Sequence, residues 1–121
     1  NELFNVGTMI ATDIEQSGSD LPGIQSSNII QLEKEIDSVN KNLSTLKSFV
    51  LPGGSEINVW LHLARTVCRR TERTCVSLLN KNLIDSIVVK YVNRLSDALF
   101  VWSRYANYIL DCEETLWDPN K

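Results

Sequence analysis

The chain has 121 residues, 43% of them hydrophobic and 22% charged, which suits one globular domain and excludes disordered and fibrous classes. Its longest apolar runs, such as Ile87–Val89 and Ala98–Trp102, fall far short of the roughly 18 residues of a membrane helix, so no membrane partner is expected. The net charge of −3 hides a pattern of 3 Lys against 8 acidic residues in 1–64, 8 basic against 3 acidic in 65–104, and one Lys against 4 acidic in 105–121; a nucleic-acid module is basic overall, so the basic middle points instead to a small polyanion or to ion pairs between helices.

The start, Asn1-Glu2-Leu3-Phe4, has neither the basic region nor the apolar core of a secretory signal, and it lacks an initiating Met. The chain is therefore expected to be a processed product or part of something longer. Leu3 to Ala11 reads as the end of a first helix, followed by a loop over Glu15–Gly23. From Asn28 to Lys47, Ile29, Leu32, Ile36, Val39, Leu43 and Leu46 recur three and four apart, predicting one apolar stripe on a second helix. Leu51-Pro52-Gly53-Gly54-Ser55 is a sharp break. A third helix is predicted from a Ser55 cap to about Asn80, with Ile57, Leu61, Ala64, Cys68, Thr71, Cys75 and Leu78 as its core stripe. A fourth runs from an Asp85 or Ser86 cap to about Asp111 on Val88, Val92, Leu95, Leu99, Trp102, Ala106 and Ile109. No alternating strand pattern competes, so the expected fold is all-α, an up-and-down bundle of long antiparallel helices crossing at about 20°.

Arg65, Arg69 and Arg73, with Arg70 and Glu72 among them, form the densest charge cluster and line one side of the third helix, where like charges repel unless an anion relieves them. Spacing alone leaves two readings: a solvated or ion-paired face, or a polyphosphate or carboxylate site suited to the guanidinium fork. The fourth helix carries a second stripe, Asn93, Asp97, Phe100, Arg104 and Asn107. It reads either as a polar face with one exposed ring or as a wall orienting a polar ligand. The Pro52-Gly53-Gly54 loop leads into a helix N-terminus, which suits an anion, but it is no P-loop and could be only a tight turn. His62, the sole histidine, reads as a packed or hydrogen-bonded helix residue. Trp60, Trp102 and Trp117 read as packing residues, and Cys68 and Cys75 as small core residues. Three cysteines cannot all pair and form no C-x-x-C, which indicates a reducing compartment and no metal site. No Ser/His/Asp set, H-E-x-x-H or carboxylate-pair motif is present.

Longer strings sharpen this picture. Phe49-Val50-Leu51-Pro52-Gly53-Gly54-Ser55, then Leu61-His62-Leu63-Ala64-Arg65-Thr66-Val67-Cys68-Arg69-Arg70-Thr71-Glu72-Arg73, then Tyr91-Val92-Asn93-Arg94-Leu95-Ser96-Asp97-Ala98-Leu99-Phe100 and Arg104-Tyr105-Ala106-Asn107 follow one another in order. With Leu3-Phe4-Asn5-Val6-Gly7 and Glu114-Thr115-Leu116-Trp117, they closely resemble the PduO-type ATP:cob(I)alamin adenosyltransferases over nearly the whole chain.

The resemblance implies a five-helix bundle whose first part is missing here, residues 1–121 forming a single bundle domain, and a homotrimer with ATP between subunits. It implies transfer of the 5′-deoxyadenosyl group of ATP to the cobalt of cob(I)alamin, giving adenosylcobalamin and triphosphate, with ATP, cobalamin and Mg²⁺ as cofactors. Cob(I)alamin is the nucleophile, so no Ser or Cys nucleophile is needed, and the protein supplies orientation and electrostatics. Carried over by motif, Arg65 and Arg69 are the catalytic arginines at the nucleotide, Arg65 partly through an ion pair to an upstream acidic residue. Arg70, Glu72 and Asn93 join them in binding ATP, and Phe49 and Phe100 are the aromatics against the corrin, where they exclude the lower axial ligand and leave cobalt four-coordinate. The Thr/Gly/Asp-rich segment that opens the family's nucleotide cradle has no counterpart here, so it is expected to lie outside residues 1–121. A cobalamin reductase and an adenosylcobalamin-dependent mutase are further implied partners, in a bacterial cytoplasm or, alternatively, a mitochondrial matrix. The rival reading is a non-catalytic corrinoid- and nucleotide-binding chaperone delivering adenosylcobalamin to a mutase. No D-x-H-x-x-G string marks His62 as a cobalt ligand.

Overall fold

The computed structural model describes residues 1–12 and 21–121. In chain order these form α1 (Glu2–Ala11), α2 (Ser26–Asn40), β1 (Val50–Leu51), α3 (Glu56–Asn80), α4 (Ser86–Ile109) and β2 (Thr115–Leu116). The two long helices start where their caps predict. Ser55 Oγ accepts the Asn58 N–H at 3.2 Å, and Asp85 accepts the Ile87 N–H at 2.9 Å, each satisfying a donor that the first helical turn leaves open. Between them the chain reverses through Lys81–Asp85, with Asn82 in the left-handed region at φ 57°, a conformation that asparagine tolerates well.

α4 is the centre of the fold, packed on one side by α3 and on another by α2. Val88 and Ala98 are fully buried, and Cys75, Tyr91 and Val92 nearly so. α1 is fastened to this core by Val6 and by Glu2, whose carboxylate accepts the Tyr91 hydroxyl at 2.9 Å and the Asn28 amide at 3.0 Å. Burial and the bond to Glu2 hold the Tyr91 hydroxyl well above its ordinary pKa, so it stays a donor. None of the described helices is long and apolar enough to cross a membrane.

The all-α expectation holds for the body of the fold, which has four helices among the described residues, and four details differ. First, α2 stops at Asn40 rather than Lys47. The apolar period continues beyond it, since Leu43 and Leu46 are still half-buried, but the backbone leaves the helix after the Asn40-Lys41-Asn42 run and is drawn along α4, where Arg104 donates to the Ser44 carbonyl at 2.8 Å. Second, β1 and β2 pair antiparallel, Val50 opposite Leu116 and Leu51 opposite Thr115, a ribbon too short for any period-two signal.

Third, the core stripe of α3 is rotated. Ile57, Ala64 and Thr71 are exposed, while Asn58 and His62 are buried against α4. Their polar groups are satisfied there: Asn58 Nδ2 donates to the Ser103 carbonyl at 2.8 Å, and the Gly53 N–H donates to Asn58 Oδ1 at 2.9 Å. Fourth, Trp102 packs on the core, whereas Trp60 is mostly exposed and Trp117 is half-exposed beside Phe49. Of the loop expected over Glu15–Gly23, residues 15–20 lie outside the described residues.

Candidate functional site

The arginines of α3 divide by depth. Arg65 is half-buried, its guanidinium carbon 4.9 Å above the centroid of the Phe100 ring, a cation–π contact between α3 and α4. Burial and the neighbouring Arg69 lower its pKa, while Asp97 acts the other way. Arg69, Arg70 and Arg73 are exposed. Among the described residues the ion pairs belong to Arg94 and Arg104 instead, so of the plainer expectation for this cluster the solvated face fits Arg69, Arg70 and Arg73 and the interhelical pairs are not found.

Two turns beyond Arg65 on α3, Glu72 Oε2 accepts the Asn93 amide at 3.0 Å. The other end of that amide accepts from Arg94 Nη1 at 2.9 Å, and Arg94 is in turn held by Glu33 at 2.9 Å and Asp97 at 3.1 Å. Asn93 and Glu72 thus share a shallow cleft of about 280 Å³ with Lys90 and Arg94, in which each polar atom of the Asn93 amide is already oriented.

Phe100 lines a larger cleft of about 550 Å³ between α4 and the 43–46 segment, together with Asp97, Arg104, Leu43 and Leu46. The ring is fixed from behind. His62 meets it edge-on at 6.2 Å, and Ser103 Oγ lies 3.2 Å from His62 Nε2 while donating to the Phe100 carbonyl at 2.6 Å. With the Ser103 proton on that carbonyl, His62 Nε2 is the donor of the pair. Burial, then the Arg65 charge, hold the His62 pKa below its ordinary value, so the ring is neutral at physiological pH. His62 is thus the packed, hydrogen-bonded residue that its isolation in the sequence suggests.

Two members of the second α4 stripe are bonded within the chain. Arg104 is 5% exposed and still lines the Phe100 cleft, while Asn107 is 1% exposed and lies outside it. Arg104 pairs with Glu114 and with the Ser44 carbonyl. Asn107 Nδ2 donates to the Gly53 carbonyl at 2.9 Å, and Asn107 Oδ1 accepts from Ser55 Oγ at 2.6 Å. Gly54, at φ +89°, is required where it is: a Cβ there would lie 2.6 Å from Asn107 Nδ2 and 2.7 Å from the Glu113 carbonyl. The Pro52-Gly53-Gly54 loop is therefore a tight turn closed by side chains, with the N–H and the carbonyl of Gly53 both in use.

The structure brings four of the residues expected at the site into two pairs. Arg65 and Phe100 touch, with Asp97 on the same side, and Glu72 bonds directly to Asn93, whose other end takes Arg94, while Arg69 and Arg70 stand exposed in neither pair. Phe49 is 76% exposed on the ribbon and lies outside the lining of the Phe100 cleft, its ring 5.9 Å from Trp117 in an edge-on contact. The parts that sequence reasoning missed are the supports: Asn58, Ser103, Ser44 and Glu114. Their signal was faint, because a buried Asn or Ser on a helix looks the same in sequence as an exposed one.

Comparison with known proteins identifies the family of the chain and its backbone. The sequence matches the cobalamin adenosyltransferase family model over residues 1–106. The corrinoid adenosyltransferase of Mycobacterium tuberculosis is 43% identical over 122 residues, covering 98% of this chain and 62% of the relative. The human corrinoid adenosyltransferase is 38% identical over 107 residues, covering 86% of this chain and 43% of its own length. A variant of the PduO-type ATP:corrinoid adenosyltransferase of Lactobacillus reuteri, solved with cobalamin and ATP, superposes with a TM-score of 0.88 at 34% identity, covering 97% of this chain and 63% of that one. The chain thus spans less than two thirds of the length of these relatives. With a family match across most of its length and a shared backbone, the chain belongs to the cobalamin adenosyltransferase family.

Proposed function

We propose that this chain forms the bundle of an ATP:corrinoid adenosyltransferase. In the reaction the cobalt lone pair of cob(I)alamin attacks C5′ of ATP, the C5′–O bond breaks, and triphosphate leaves with the electron pair. The observation that carries the reading is the 4.9 Å contact of Arg65 with Phe100, which sets a phosphate-seeking fork directly on an apolar ring at the edge of a cleft. A polyanion and a flat apolar macrocycle are the two surfaces that the reaction must bring together.

In this reading Arg65 and Arg69 act on the nucleotide and stabilise the departing triphosphate, Arg70, Glu72 and Asn93 orient ATP, and Phe100 and Phe49 cover the corrin. Mg²⁺ enters as the companion of the ATP phosphates. The exposed charges of Arg69, Arg70 and Arg73, which have no ion pair among the described residues, suit a polyanion arriving from outside this bundle, in keeping with a homotrimer holding ATP between subunits. The working location is a bacterial cytoplasm, with a reductase supplying cob(I)alamin and a mutase receiving the product.

The test is Arg69→Ala in the full-length protein. Helicity should be unchanged, because an exposed helix arginine contributes little to stability. Adenosylcobalamin formation and triphosphate release should fall together by about 100-fold or more. Both staying near wild type would reduce Arg69 to surface charge and defeat the assignment. A wild-type protein that binds both ligands and releases no triphosphate would support the delivery chaperone instead.

A further inference from the structure

We infer that Arg104 is a positioning residue that clamps the Phe49-bearing ribbon to α4 one turn beyond Phe100, so that the two aromatic side chains are held on one frame. The inference rests on the corrinoid reading only for what the two rings touch; the clamp itself stands on the geometry. Arg104 leaves α4 one turn after Phe100 and is 5% exposed. A guanidinium that deep requires partners for its donors, and it has them on two separate segments. Nε and Nη2 donate to the two oxygens of Glu114, at 2.5 and 3.4 Å, and Nη2 also donates to the Ser44 carbonyl at 2.8 Å.

Those two segments are the roots of the ribbon. Glu114 immediately precedes β2, and Ser44 lies five residues before Phe49. Beyond the clamp the ribbon holds itself together: the Trp117 N–H donates to the Phe49 carbonyl at 2.8 Å, and Ser48 Oγ donates to the Trp117 carbonyl at 2.7 Å. A two-stranded ribbon with two residues per strand has little stability of its own. Asn107 and Asn58 hold the far end of β1 at Gly53, and the buried fork of Arg104 fixes the end that bears Phe49, because a rigid planar donor pair fixes both direction and distance where a lysine would fix neither.

Arg104 also lines the Phe100 cleft, so a direct contact with ligand has to be separated from positioning. Glu114 does that, since it holds Arg104 and is not among the residues lining the cleft. In the full-length protein, Glu114→Gln and Arg104→Lys are compared with wild type by three measurements. These are amide exchange at Trp117 without ligand, cob(II)alamin affinity in the presence of ATP, and ATP affinity alone. The expected result for both variants is Trp117 exchange accelerated about 10-fold and corrinoid binding weakened about 10-fold, in the range that supporting partners contribute, with ATP affinity within about twofold of wild type. If Arg104→Lys weakens corrinoid binding and Glu114→Gln does not, Arg104 acts on the ligand directly and positioning is overturned. Unchanged Trp117 exchange in both variants overturns the clamp, and an equal loss of ATP affinity reduces it to general stability. If wild type binds no corrinoid at all, the functional reading fails, and Trp117 exchange still decides whether Arg104 holds the ribbon.

Discussion

Replacing Asn107 by Ala should destabilise the fold by about 3 kcal/mol, far more than the loss of an amide on an exposed helix face. The side chain is 1% exposed and uses both ends, donating to the Gly53 carbonyl at 2.9 Å and accepting from Ser55 Oγ at 2.6 Å. Truncation strands one carbonyl and one hydroxyl in a site with little water, each worth roughly 1–3 kcal/mol. The cap of α3 partly survives, because Ser55 Oγ still accepts the Asn58 N–H. Urea unfolding followed by helical circular dichroism gives the number. A cycle with Ser55→Ala and the double variant should show a coupling of about 1 kcal/mol between the two side chains. Asn107→Asp is the harsher control: it keeps the acceptor for Ser55 but turns an anionic oxygen toward the Gly53 carbonyl at a position 1% exposed, so it should fall below Ala at a pH that keeps the carboxylate ionised. An Asn107→Ala protein within about 0.5 kcal/mol of wild type, or strict additivity with Ser55→Ala, would show that the loop is not held by this amide.

Phe100→Ala should lower stability by about 2 kcal/mol, below the loss typical of a fully buried Phe because one side of the ring lines a cleft. The four-coordinate cob(II)alamin signal with ATP should disappear; a large melting drop with that signal intact would place the ring in the core alone. Because His62 is held below its ordinary pKa, the unfolded chain binds its proton first, so the His62 contribution is complete above about pH 6.5 and is lost as pH falls below it. Stability measured from pH 8 to 5 should show that decline, and His62→Gln should flatten it; an unchanged slope would assign the decline to other groups. Burial raises the thiol pKa of Cys68 and Cys75, whereas Cys112 is only half-buried, so one thiol per chain should react rapidly with an aromatic disulfide reagent in the native state. Fast reaction of all three would contradict the packing of α3 on α4.

The helices were legible because caps and apolar period agree: Ser55 and Asp85 mark the starts of α3 and α4, and Val88, Val92, Leu95 and Leu99 keep one face of α4 inward. Three kinds of feature were not legible. The end of α2 depends on Arg104, 60 residues downstream, taking the Ser44 carbonyl, and no local pattern encodes that capture. The rotation of α3 turns Asn58 as well as His62 toward α4, and although His62 reads as a packed residue in the sequence, a hydrophobicity pattern assigns Asn58 to solvent. The ribbon is defined by pairing alone. At the site, motif resemblance selected Arg65 and Phe100, which do touch, but a stripe on a helical wheel could not separate Asp97, which is open to solvent, from Arg104 and Asn107, which are consumed within the fold.

The five-residue turn between α3 and α4 bears on how the chain acquires its structure. The entropy lost in closing a loop rises with its length, so the first long-range contacts to form are those that the turn brings together cheaply. α3 and α4 meet across it, as in the bond from Cys68 Sγ to the Val92 carbonyl, 24 residues apart, whereas the ribbon pairs Val50 with Leu116 from opposite sides of the whole hairpin. The helical hairpin should therefore form ahead of the ribbon, carrying the Arg65–Phe100 contact with it, and the pairing that sets Phe49 in place closes around it afterwards.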